Sequence, residues 1–214
     1  MRPALLLPFL LAGPAVADSL PLPANCQAVV TLQLGFCTVS NIWNCEVDGR
    51  REVWTYNYGE GANIVFQRDT DGQQHAAFIV GDSGATTTTP TVSIADPVSI
   101  AALAATGSDS YDMTTRRPDG SELRATGTYR VMGEAISIDG WALVPVISAN
   151  DYGNGQSQGF YNLMDASRGI LFHVGRVADT GAEAQVPEQF LPVEVAFDGD
   201  AGFRAAEPTI GCGG

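Results

Sequence analysis

Apolar and polar positions alternate with a period of two through several stretches of the chain. That spacing sends successive side chains to opposite faces of a strand. Between Ser110 and Val177 it predicts strands at Tyr111–Arg116, Glu122–Met132, Ala135–Ile138, Trp141–Ala149, Gln158–Met164 and Ile170–Val177. The breaks are turn formers: Pro118-Asp119-Gly120, Asp139-Gly140, Asn154-Gly155 and Ser167-Arg168-Gly169. Asp-Gly and Asn-Gly pairs supply the positive φ that two-residue hairpins demand.

An earlier meander has the same grammar. Strands are expected at Ala28–Leu34, Phe36–Val39, Ile42–Val47, Arg51–Tyr58, Asn63–Arg68 and His75–Val80, with turns at Asp48-Gly49, Gly59-Glu60-Gly61 and Asp71-Gly72. Alternation puts Trp54, Tyr56 and Tyr58 on one face. Gly81–Thr91, with four consecutive threonines and Pro90, is expected as a surface loop leading to a short edge strand at Thr91–Ala95. A last strand is expected at Phe190–Phe197, and the tail Gly202–Gly214 is anchored only by Cys212.

One helix is predicted. Asp96 suits the N-cap, Pro97 the first helical position, and Gly107 a left-handed end. A helix of two or three turns cannot stand alone in water. It must pack on a sheet through Val98, Ala101 or Ala102, and Leu103 or Ala105. The expected fold is therefore all-β: an antiparallel meander closing as a barrel or two-sheet sandwich, with one short helix near 97–106. Residues 18–214 are expected to form a single β-rich domain, with possible sub-units 26–95 and 108–197 joined by the loop and helix.

The first residues change the compartment. Arg2, the apolar run Leu5–Leu11 and the small residues Ala15-Val16-Ala17 form the pattern of a secretory signal peptide over 1–17. The run is too short to span a bilayer. No Cys follows it, as a lipoprotein would need, and no Arg-Arg pair precedes it. The expected location is periplasmic or secreted. Strand charges such as Arg116, Glu122, Arg124 and Arg130 argue against an outer-membrane barrel.

The chain holds 24 acidic and 11 basic residues, and every basic residue is Arg. This acidic balance excludes nucleic acid and anionic membrane surfaces as partners, since both need clustered positive charge. Without Lys there is no Schiff-base chemistry and no phosphate-loop lysine. The four cysteines, Cys26, Cys37, Cys45 and Cys212, fit two disulfides in an exported chain. Cys37–Cys45 as a local staple with Cys26–Cys212 tying the ends is the pairing expected, and the two other connectivities stay open. A Cys-based metal site lacks C-x-x-C spacing and a nearby His.

Candidate chemistry is sparse. Gly81-Asp82-Ser83-Gly84 resembles the nucleophile motif of trypsin-like serine proteases over four residues. The only upstream His, His75, lies seven residues before Asp82, and the Gly and Pro that follow the family motif are missing. The segment is read as a turn. Asp69-Thr70-Asp71-Gly72 matches part of a calcium loop but lacks the later ligands. The clusters Ser108–Asp112 and Asp198-Gly199-Asp200 are read as solvated loops. No catalytic, metal or cofactor-binding residue is assigned.

His173 shares a strand face with Leu171 and Val177, and Arg176 shares the other with Phe172 and Val174. His173 is expected either as a hydrogen-bonded core group or as a polar anchor in a pocket with Tyr161 and Trp141. Three functions are compatible with these features. The favoured one is a non-catalytic exported module binding a small apolar molecule or an envelope protein. The alternatives are an extracytoplasmic hydrolase using carboxylates or His173, and a structural envelope-interaction protein.

Overall fold

The computed structural model describes residues 22–59, 63–80, 86–153, 155–177 and 186–212. The expected signal peptide and the Gly81–Gly84 motif lie outside them. Thirteen strands are found among the described residues: β1 Cys26–Leu34, β2 Thr38–Val47, β3 Arg50–Gly59, β4 Asn63–Asp69, β5 Gln74–Val80, β6 Thr86–Asp96, β7 Ser108–Arg116, β8 Glu122–Val131, β9 Ile136–Ile138, β10 Trp141–Asp151, β11 Ser157–Asp165, β12 Ile170–Val177 and β13 Pro192–Ala196. The single α-helix among the described residues, α1, spans Ile100–Thr106, and a short 3-10 turn lies at Glu188–Phe190.

All strands belong to one antiparallel sheet in the order β12-β11-β10-β8-β7-β6-β5-β4-β3-β2-β1-β13, with β9 beside β10. The sheet is not closed, because its end strands β12 and β13 do not pair with each other. It folds back on itself. Val30, Leu32 and Leu34 of β1, Ile42 of β2 and Val53 of β3 share one apolar core with Trp141, Leu143, Tyr161, Leu163, Ile170, Phe172 and Val174 of β10–β12. A second core joins Val98, Ile100 and Leu103 to Tyr111, Ala125, Val146, Met164 and Leu171. Strands β10–β12 are thus covered on both faces.

Several local expectations are corrected. The threonine run is strand, because β-branched residues favour extended backbone. Nor is β6 an edge. Residues Thr86–Pro90 pair with β5, and Thr91–Asp96 pair with β7. The strand changes partners at Pro90, the residue with no N–H to give to a ladder. The expected pair Phe36–Val39 and Ile42–Val47 is one strand running through Asn41. The helix starts later than expected. Its N-cap is Ser99, whose hydroxyl accepts from the Ala102 N–H at 3.1 Å, while Asp96 ends β6. Ile100 and Leu103 are its buried residues, and Gly107 ends it in the left-handed conformation at φ 80°.

The cysteines pair as Cys26–Cys45 and Cys37–Cys212, not Cys37–Cys45 and Cys26–Cys212. Cys26 and Cys45 face each other across the β1–β2 ladder with their Cα atoms 4.0 Å apart. Cys37 sits in the turn before β2, and Cys45 lies eight residues along that strand. At roughly 3.4 Å per residue they stand about 27 Å apart, far beyond disulfide reach. The tail is held by more than Cys212. Thr31, Gln33 and Asn41 are buried polar residues of β1 and β2. They bind the Arg204 N–H, the Thr209 N–H and the Ala205 carbonyl respectively, and the Cys37 N–H donates to the Ile210 carbonyl.

Candidate functional site

Alternation on eight strands builds a cavity of about 230 Å³ inside the folded sheet. Its walls come from the inward positions of β4 to β8 and β10 to β12. Phe66 and Arg68 of β4 stand two residues apart, as do Tyr111, Met113 and Thr115 of β7, and Ser148 and Asn150 of β10. Tyr129, Tyr152, Phe160, Asn162 and His173 add polar and aromatic groups, and Gln74 and Thr89 contribute from β5 and β6. One close approach shapes the wall. Gly127 of β8 lies directly opposite Tyr111. A Cβ there would meet the Tyr111 ring at 2.6 Å, so only glycine lets that ring lie over the β8 backbone.

Arg68 is the unusual member. Its residue is only 8% exposed, and its Nη1 is buried with no hydrogen-bond partner. The guanidinium lies 4.9 Å from the centre of the Phe66 ring. Burial pulls its pKa down from the usual arginine value, while nearby Tyr129 opposes that shift. Burial in turn raises Tyr129, against the pull of Arg68. Tyr111 is also raised, by burial first and then by Tyr129 and Tyr152. These tyrosines stay protonated hydrogen-bond donors at neutral pH. Asn150 carries a second orphan, a buried Oδ1 with no partner. Asn162 is occupied, its Nδ2 donating to Ser148 Oγ at 3.2 Å and to the Phe160 carbonyl at 3.1 Å.

A more apolar groove of about 530 Å³ lies beside the cavity, lined by Leu34, Phe36, Ile64, Val174, Arg176 and Phe190 among others. Phe66, Phe160 and His173 line both spaces, so they form the partition between them. The His173 ring centre is 4.9 Å from that of Phe160 and 6.1 Å from that of Phe66. Burial, then the positive charges of Arg68 and Arg176, lowers the His173 pKa to about 4. The imidazole is therefore neutral at pH 7.

Of the three pocket residues named from the sequence, only His173 lines the cavity. Tyr161 projects to the other face of β11, beside Phe190 with ring centres 5.7 Å apart. Trp141 stacks on Phe172 at 6.0 Å, and its Nε1 donates to Asp165 Oδ2 at 2.8 Å. Both are core residues. The expected grouping of Arg176 with Phe172 and Val174 also changes. A bulge between Tyr161 and Asn162 resets the alternation of β12, so Val174 and Val177 both pack on the first core and Arg176 joins the groove with His173.

The acidic clusters have local structural roles. Asp69 Oδ1 accepts from the N–H groups of Asp71 and Gln73 at 3.0 and 2.9 Å, and its Oδ2 lies 3.3 Å from His75 Nε2. At the start of α1 the Asp71 backbone carbonyl accepts from the Ile100 N–H, and the Asp109 carboxylate accepts from the Ser99 N–H. Among the described residues no group of three or more His, Cys, Asp or Glu could hold a metal ion. No helix there is long and apolar enough to cross a membrane. Sequence reasoning passed over Arg68. Its signal was an arginine in phase with Ile64 and Phe66, on the face of β4 where an apolar residue was due.

No family model, curated protein or solved structure matches this chain.

Proposed function

We propose that the protein is a non-catalytic binding module of the exported compartment that holds one small molecule in the cavity behind His173. The observation that carries this reading is Arg68, a buried cation with no carboxylate partner among the described residues, lining a partly open cavity of about 230 Å³. Ligand sites are concave, mostly apolar, and furnished with a few convergent polar groups. Two disulfides fit an oxidising compartment. No carboxylate lines the cavity or the groove among the described residues, so carboxylate hydrolysis has no residues to use there.

The test is native mass spectrometry of the protein purified without denaturant, followed by a denatured spectrum of the same sample. An additional small mass present only in the native spectrum is expected. Its loss in a Phe160→Trp variant, which fills the partition between groove and cavity, locates it. A bare protein that binds nothing from a small-molecule panel would overturn the reading.

A further inference from the structure

We infer that the ligand is a small organic monoanion, a carboxylate on an aromatic-sized body, and that Arg68 is its anchor. This rests on the binding reading above. The first support is an omission. Four other arginines have carboxylate partners within the protein: Arg50 with Glu52, Arg116 with Glu122, Arg124 with Asp112, and Arg168 with Asp165. The chain carries 24 acidic residues. Yet among the described residues none lies within ion-pair distance of Arg68, the arginine that burial makes most in need of one. A buried cation without a counter-charge is strongly unfavourable, and a guanidinium does not escape by losing its proton at neutral pH. The missing carboxylate comes from outside.

Charge and size narrow the class. Among the described residues Arg68 is the only cationic side chain lining the cavity, since His173 is neutral there and Arg176 lines the groove. One positive charge matches one negative charge, and the strongly acidic protein repels polyanions. The fork of a guanidinium fits a carboxylate with two parallel hydrogen bonds. An apolar cavity of about 150 Å³ accepts benzene. The larger space here, walled by Phe66, Met113, Tyr111, Tyr129 and Phe160, leaves room for a ring and its carboxylate.

The probes are 4-hydroxybenzoate and 4-hydroxybenzamide, which share ring, hydroxyl and near-identical shape but present an anionic carboxylate and a neutral carboxamide respectively. Each is titrated calorimetrically into the full chain after denaturant wash and refolding with its disulfides intact. The carboxylate is expected to bind at least tenfold more tightly than the amide, and Arg68→Met is expected to abolish that difference. Because Met removes an unpaired buried charge at similar volume, the ligand-free variant is expected to melt at a higher temperature than the original protein. Equal binding of acid and amide, or a neutral molecule recovered from the native protein, would overturn the anion assignment and leave the binding reading intact. Absence of any bound or added small molecule would overturn both. The comparison of acid and amide uses the unaltered protein, so it does not depend on the variant folding. A ligand-free Arg68→Met protein that melts lower would overturn the argument from the orphan charge.

Discussion

Single residues decide the interior. Gly127→Ala would press a methyl group into both the Tyr111 ring and the Ala149 carbonyl. Overpacking of this kind costs about 1–3 kcal/mol, and the urea midpoint is expected to fall accordingly with m unchanged. His173 gives a second measurable consequence. Its folded pKa, about 4, lies below the ordinary histidine value of 6.5. The unfolded chain therefore binds the proton more readily, and stability is lost as pH falls from about 6.5 to about 4. The loss is expected to be about 2 kcal/mol, less than the full shift implies because the ring is partly open to the groove. His173→Phe is expected to remove that slope in urea titrations at pH 7 and pH 4.5. Asp165 acts at lower pH. Burial raises its pKa, but hydrogen bonds from Ser167, Trp141 and Arg168 outweigh it and hold the carboxyl below its usual value. Its contribution is present at neutral pH and goes as the carboxylate protonates.

At the scale of elements, the tail and the two disulfides make the clearest prediction. Cys26–Cys45 spans 19 residues of sequence, within a hairpin that its ladder already holds. Cys37–Cys212 spans 175. In the chain-entropy model the first is worth about 3 kcal/mol and the second about 5. The second also keeps the tail over Thr31, Gln33 and Asn41, whose polar groups would otherwise need water. Replacing Cys37 and Cys212 with Ser is expected to lower the melting temperature more than replacing Cys26 and Cys45, and to expose the 201–212 segment to protease. The elements themselves were largely legible. The Asp-Gly turns at 48–49, 71–72 and 139–140 separate strands where expected, and β12 has the bounds that alternation predicts. The helix start was not, because Asp96, Ser99 and Pro97 each satisfy a helix-start rule. Which one serves depends on β6 running to Asp96 and on Asp71 and Asp109 holding the Ser99 region.

Across the whole molecule, the sheet's return on itself sets cooperativity. The first core takes residues from β1–β3 and from β10–β12, so neither end of the chain completes an interior alone. Trp43 and Trp54 report on the first end, and Trp141 reports on the shared core. Tryptophan fluorescence and far-UV circular dichroism are expected to follow one coincident urea transition. Separate transitions would mean that the two ends fold as independent units.

The sequence by itself determined the elements: period-two alternation, Gly-containing turns and a lone short helix follow from local backbone and side-chain sterics. The even count of four cysteines, read with the signal-peptide pattern, pointed to two disulfides, and two are found. Tertiary structure alone decided which cysteines meet, because pairing depends on register and on where an extended strand carries its ends. It likewise decided the site. His173 was legible as a polar residue on an inward face, but its companions Arg68, Phe66, Tyr129 and Phe160 lie on strands distant in sequence. The folded sheet brings them together, and only there does Arg68 become a buried charge with no carboxylate beside it among the described residues.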